Sequence, residues 1–384
     1  MTTTRFHLIG RALAAVLLAL ACNAPAQPAN TASTAMPRRT SIILIQCDGL
    51  GYGDLSCYGQ TKFQTPNLDK LAAEGIRFTN YHAGDTASAA ARAALMTGKA
   101  AKHLRQSTDA TAPLSAGEAS VAQVLKYSGY HTGLIGEWSL GDDKSSGAPW
   151  RKGFDEFAGY FEPQDAENYY ADYIWRYAPQ SLLNPTNNQR EDFMGREMLY
   201  PNTLEKKTQY IPDLYTKAAI NFIDSNQPDE FNHHRPFFLV VNYKIPGRNP
   251  VVPTDAPFSG EAWPQPQKNK AAIIARLDGY IGELRAKLEK SGLTNNTAIF
   301  FTSDTGPKPG AADPKFFQST GPDKGLVVPM IACWPGKIPA GQVSGSAWTA
   351  ADFLPTAAEI ALAKAPEKID GVSVLPILLG QAKR

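Results

Sequence analysis

Residues 41–54 read SIILIQCDGLGYGD, and two textures meet inside them. Residues 41–46 are an unbroken apolar run of strand length, the pattern of a strand buried on both faces. Cys47 and Asp48 end the run, and Gly49, Gly51 and Gly53 then empty it into a loop. The arrangement recurs downstream, where a run at 297–302 ends in Ser303-Asp304-Thr305-Gly306-Pro307. Ligands of open parallel sheets bind at the carboxyl ends of strands, so Asp48 and Asp304 are candidates for one shared site.

Working outward, Thr65-Pro66-Asn67 opens a helix over 68–75, and a strand follows over 76–81. Helices are expected over 120–128, 213–224, 271–290 and 351–362, and strands over 131–135, 236–243 and 327–333. Strands and helices alternate, which predicts an α/β fold with a doubly wound, mostly parallel sheet flanked by helices. Residues 142–210 interrupt the alternation with weak periodicity and a dense aromatic set at Tyr169, Tyr170, Tyr173, Trp175 and Tyr177. They read as an irregular excursion over the sheet, its aromatics pinning it to the core rather than stacking on sugar rings.

Between the two acids lies DTASAAARAALMTGK, residues 85–99. Its alanines favour a helix that opens near Thr86 or Ser88 and closes at Gly98. A helix start offers free N–H groups and the positive end of the dipole, and Ser88 and Arg92 stand four apart on one face there. A nucleophile and a cation suit an anionic ester. The competing reading is an ordinary serine N-cap followed by a solvated arginine.

The chain opens like an exported protein. Arg5 and Arg11 precede or flank a short apolar run at 12–21, and Ala24-Pro25-Ala26 offers a small-residue cleavage site, so residues 1–26 read as a signal peptide and 27–38 as a flexible leader. The destination is the periplasm or the exterior. Ala19-Leu20-Ala21-Cys22 also resembles a lipoprotein box, which would place a lipid anchor on Cys22. No later stretch reaches the ~20 apolar residues of a spanning helix. Residues 39–384 suffice for one large domain. A formal net charge of +2 without a basic stripe argues against nucleic acid as a partner. Cys47, Cys57 and Cys333 are an odd set in an oxidising compartment, so at least one thiol stays free. No Cys-x-x-Cys or His-x-x-x-His spacing supports a local zinc site.

Taken together, these segments resemble the sulfatases of the alkaline phosphatase superfamily. GLGYGDLSCYGQ with TPNLDKLAAEGIRFTNYHA is similar to the family's opening, RAALMTGK to its nucleophile helix, and GYHTGLIGEWSLG to its next strand and loop. KGFDEFAGY, NYYADYIW, RPFFLVVNY, FFTSDTGP, VPMIACWPGKI and IDGVSVLP continue in the family's order. The resemblance implies hydrolysis of sulfate monoesters, of small molecules or glycans, by a formylglycine made from Cys or Ser, with calcium and several cations holding the sulfate. Ser88 falls on the modified position and Arg92 on the arginine that braces it. Asp48 and Asp304 fall on metal ligands, and positions 137 and 318 on lysines that clamp substrate.

The departures gather at the same place. The family pattern after the nucleophile has Pro and Ser where this chain has Ala90 and Ala91. Its Asp-Asp pair reads Asp48-Gly49, and its Asp-Asn pair reads Asp304-Thr305. The clamping lysines are Glu137 and Gln318, the histidine after the PFFL strand is Gly247, and Ser139 stands where many members have another histidine. The family's C-terminal antiparallel subdomain has no counterpart before residue 384. Three functions follow: a pseudo-sulfatase that binds a ligand such as a glycan without hydrolysing it; a divergent sulfatase or phosphoesterase acting through Ser88; or a product with no ligand. Glu137 is more simply a partner for Arg92 than a general base.

Overall fold

The first buried strand dictates the rest of the sheet, because a strand apolar on both faces needs a partner on each edge and a helix layer on each side. A computed structural model describes residues 39–104, 113–178, 193–227, 235–247, 251–307, 314–317 and 326–381. The stretches read as signal peptide and leader, with Cys22, and Gln318 lie outside them. β1 (Ser41–Asp48) is buried throughout and is followed in sequence by β2 (Ile76–Phe78), β3 (Tyr81–His82), β4 (His131–Glu137), β5 (Glu156–Tyr160), β6 (Tyr173–Ala178) and β7 (Phe193–Met198). β8 (Phe237–Pro246), β9 (Thr297–Ser303), β10 (Met330–Cys333), β11 (Gln342–Ser344) and β12 (Trp348–Thr349) complete the set among the described residues.

Ten of these strands form one sheet in the order β11-β2-β10-β9-β1-β8-β4-β5-β6-β7. The central strands β9, β1, β8, β4 and β5 run parallel, while β10 on one flank and the β6–β7 hairpin on the other run antiparallel to their neighbours. The sheet is therefore parallel where the sequence is most apolar and mixed at its edges. Side chains alternate as the pleat requires. Ile42 and Leu44 of β1 enter the core on one face, and Ile43, Ile45 and Cys47 enter the other.

The helices divide between the faces. α1 (Pro66–Ala73), α2 (Ser88–Thr97), α3 (Val121–Tyr127), α4 (Ile211–Ser225), α5 (Gln265–Lys290) and α6 (Phe353–Ile360) are the principal ones. Leu95 of α2, Leu125 of α3 and Phe353 of α6 share one core, while Leu68 of α1, Tyr215 of α4 and Ile274 of α5 share the other. No helix among the described residues is long and apolar enough to cross a membrane.

Residues 142–210 depart from the sequence reading, since they supply β5, β6 and β7 and extend the sheet instead of crossing it irregularly. Antiparallel edge strands carry a weak signal, and aromatic residues occupied their alternating positions. Those aromatics do face the core: Tyr169 is buried, Phe161 lies 5.1 Å from Trp175 and Trp150 lies 4.9 Å from Tyr177.

One glycine sets how closely the central strands approach beside the site. Gly136, at φ +108°, has the carbonyl oxygen of Asn242 1.9 Å from where a Cβ would lie. Any side chain there pushes β4 from β8. Gly136→Ala is expected to lower stability by about 3 kcal/mol, read from the urea midpoint. Gly279→Ala in α5, where nothing lies within 4 Å, is the control and is expected to be neutral or stabilising by up to ~1 kcal/mol.

Candidate functional site

Four parallel strands end at one place. Asp48 closes β1, Glu137 closes β4, Lys244 lies near the end of β8, and Asp304 follows β9 directly. Arg92 reaches them from the second turn of α2, whose Ala89, Ala91, Ala93 and Ala94 let the helix pack closely. None of the five charged residues is more than 4 % exposed.

Charged groups removed from water must be paired, and here the pairs interlock. Arg92 Nη1 lies 2.6 Å from Glu137 Oε1, and Arg92 Nη2 lies 2.7 Å from Asp304 Oδ2. Lys244 Nζ lies 2.9 Å from Asp48 Oδ2 and 3.1 Å from Glu137 Oε2. Glu137 thus joins both cations. Ser139, at φ +59°, donates from Oγ to Glu137 Oε1 at 2.6 Å and accepts from Arg92 Nη1 at 3.3 Å. Thr305 Oγ1 donates to Asp304 Oδ1 at 3.2 Å.

The electrostatics follow from this arrangement. Burial opposes the charge of Glu137, but Arg92 and Lys244 beside it prevail and hold its carboxyl down at about 2. Burial likewise opposes the charge of Arg92, and Glu137 and Asp304 more than offset it, so its pKa is raised. Lys244 is raised in the same way by Glu137 and Asp48. Asp304 goes the other way. Burial pushes it up to about 6, Arg92 draws it down, and the negative charges of Asp48 and Glu137 raise it again. Among these five groups three carboxylates face two cations, and Asp304 is where the excess negative charge is felt.

The structure brings Asp48, Ser88, Arg92, Glu137 and Asp304 together, whereas Gln318 lies outside the described residues. Ser88 is the first helical residue and not the cap; Ala87 takes that position without a side-chain bond. Its Oγ lies 3.4 Å from Asp48 Oδ1. Arg92 is buried and paired, which removes the reading of a solvated arginine. Sequence reasoning missed Lys244, because it ended the strand at Tyr243. β8 runs on to Pro246, and its pairing with β1 shifts between Cys47 and Asp48, so that Tyr243 faces Cys47 but Pro246 faces Asp48. A lysine inside the apolar run FFLVVNYKIP was the available signal.

A calcium ion, which the resemblance implies, takes ~6 to 8 oxygen ligands. These residues do not fit it. Asp48 and Asp304 are engaged by Lys244 and Arg92, position 49 carries no side chain, and the Thr305 hydroxyl is turned to Asp304. No group of three acid, histidine or cysteine side chains suited to a metal occurs among the described residues. Position 247 is closed as well. Gly247 has φ +64°, and a Cβ there would stand 2.8 Å from the Tyr169 hydroxyl. Cys47, Cys57 and Cys333 are all free thiols.

Opposite pKa directions make opposite predictions for two carboxylates that touch the same arginine. Glu137→Gln is expected to cost about 3 kcal/mol at neutral pH, since it removes a charge that its surroundings favour. Asp304→Asn is expected to be neutral or stabilising. The pH dependence follows from the signs. The folded state takes a proton on Asp304 before the unfolded chain does, so this group adds stability as pH falls through about 6 toward its ordinary value. Glu137 contributes above its ordinary value and loses that contribution as pH falls toward about 2. Urea midpoints across pH should therefore peak on the acid side of neutral, and Asp304→Asn should abolish the rise while leaving the acid loss.

Comparison with known proteins matches this fold. The sequence pattern of the family described as Sulfatase matches residues 40–363. N-acetylgalactosamine-6-sulfatase of Canis lupus familiaris is 29% identical over 377 residues, covering 90% of this chain and 67% of that protein. Arylsulfatase A of Homo sapiens is 30% identical over 369 residues, covering 92% of this chain and 70% of that protein. The chain thus spans about two thirds of the length of these relatives. The crystal structure of Ps i-CgsB in complex with k-i-k-neocarrahexaose superposes with a TM-score of 0.71 at 27% identity, over 90% of this chain and 77% of that one. A match that runs through nearly all of the described fold, from β1 to the end of α6, places this chain in the sulfatase family.

Proposed function

We propose that this chain is an exported pseudo-sulfatase, a family member that does not hydrolyse sulfate esters. One observation carries the reading. Among the described residues, the two buried cations at the strand ends, Arg92 and Lys244, are both paired with carboxylates of the chain itself. A sulfate entering beside them meets Glu137 where the family resemblance expects a lysine. At an effective dielectric near 20, reversing one unit charge about 4 Å from an anion exchanges attraction for repulsion and costs several kcal/mol.

The remaining chemistry points the same way. Ser88 Oγ has a carboxylate as its neighbour at 3.4 Å, which could accept its proton, but no histidine follows at position 247 to cleave a formylglycine adduct. Ala90 and Ala91 replace the residues that accompany formylglycine formation in the family pattern, so Ser88 remains serine. Sulfated glycans are named for relatives of this chain, and they are the substrates to be tried.

The expected outcome is no release of sulfate above buffer from 4-nitrophenyl sulfate or from N-acetylgalactosamine 6-sulfate, with wild type and Ser88→Ala indistinguishable. Intact-mass analysis of the Ser88 peptide should show no loss of two hydrogens. Turnover that disappears in Ser88→Ala would establish the divergent hydrolase instead. Gly247→His is expected to restore nothing and to lower stability by about 2 kcal/mol, because it forces a left-handed backbone and displaces Tyr169.

A further inference from the structure

Lys244 is placed by more than its own ion pairs. The register shift between β1 and β8 inserts Lys244 and Ile245 beside Asp48, and the insertion is held from three directions. The Tyr169 hydroxyl donates to the Lys244 carbonyl at 2.9 Å, the Gly247 amide donates to the Asp48 carbonyl at 2.9 Å, and Ile245 is fully buried. The ammonium bridges carboxylates from β1 and β4, two strands that β8 separates in the sheet. Bridging acids that converge from different strands is what a bound divalent cation does in a carboxylate site. An ammonium does it with one charge, three donors and no exchange with solvent.

We infer that Lys244 is the built-in cation of this site, doing with the chain's own charge what a divalent metal would do, so that the native fold is indifferent to calcium. Asp48, Glu137 and Asp304 are then not a failed metal site. They are the counter-ions of Lys244 and Arg92. Removing the ammonium leaves the three carboxylates facing Arg92 alone, and such a cluster takes up a divalent cation from solution to complete its charge. The inference does not depend on the absence of hydrolysis. A wild-type protein that hydrolyses nothing but binds calcium would overturn it and leave the proposed function standing.

The test is thermal unfolding of the wild type and of Lys244→Met, each in chelator and in millimolar calcium, with terbium luminescence as a direct report of cation binding. The wild-type midpoint should be the same in both conditions and terbium should stay dark. Lys244→Met should unfold several degrees lower in chelator, recover with calcium, and light terbium. A calcium-dependent wild-type midpoint that Asp48→Asn abolishes would overturn the inference, as would a folded Lys244→Met that ignores both ions. If Lys244→Met folds in neither condition, Asp48→Asn/Lys244→Met decides, because there one lost cation and one lost carboxylate cancel. Recovery of wild-type stability in that double variant supports the assignment. Continued failure to fold overturns it, since Lys244 would then supply packing and not charge.

Discussion

Everything at the carboxyl edge of this sheet depends on the bifurcated grip of Glu137, one oxygen 2.6 Å from Arg92 and the other 3.1 Å from Lys244. A carboxylate with no exposed surface is tolerated only when the attraction of its partners exceeds the loss of water. Two cations are needed here, and they come from a helix and a strand far apart in sequence. The grip therefore ties α2 to β4 and β8. Asp48 and Asp304 join it from β1 and β9, so four parallel strands and one helix meet in a single charge balance. Such a network adds little net stability compared with a well-packed apolar cluster, yet removing a charge that its neighbours favour, as they favour that of Glu137, is costly. It specifies one arrangement more than it strengthens it.

The central strands were legible because burial on both faces leaves an unmistakable apolar run, and SIILIQ and its downstream counterpart are of that kind. The helix of Ser88 and Arg92 was legible from its alanines and from Gly98, which closes it at φ +71°. Asp48 and Asp304 could be assigned to one place from topology alone, since parallel strands deliver their ends to the same edge. The β6–β7 hairpin was not legible. Tyr173, Trp175 and Tyr177 of β6 are only half-buried and Met194 and Met198 of β7 are exposed, so neither strand carries a continuous apolar run. Lys244 escaped for another reason. A strand is expected to stop where a charge interrupts its apolar run, and here β8 continues through the charge because Asp48 and Glu137 neutralise it.

Glu137 and Lys244 are intelligible only together. The resemblance expects a lysine at 137, and placing a carboxylate there beside Asp48 and Asp304 would crowd three buried acids around Arg92. Lys244 supplies a compensating positive charge from the neighbouring strand, 3.1 Å from the new carboxylate. Either residue without the other would keep a single partner, Glu137 holding Arg92 or Lys244 holding Asp48, and the buried charge left uncompensated would cost several kcal/mol, comparable with the whole stability of many domains. Side chains in contact are not independent, and their joint effect differs from the sum of the separate ones. The lysine of this site stands on β8 with its charge turned inward, between carboxylates of the strands on either side.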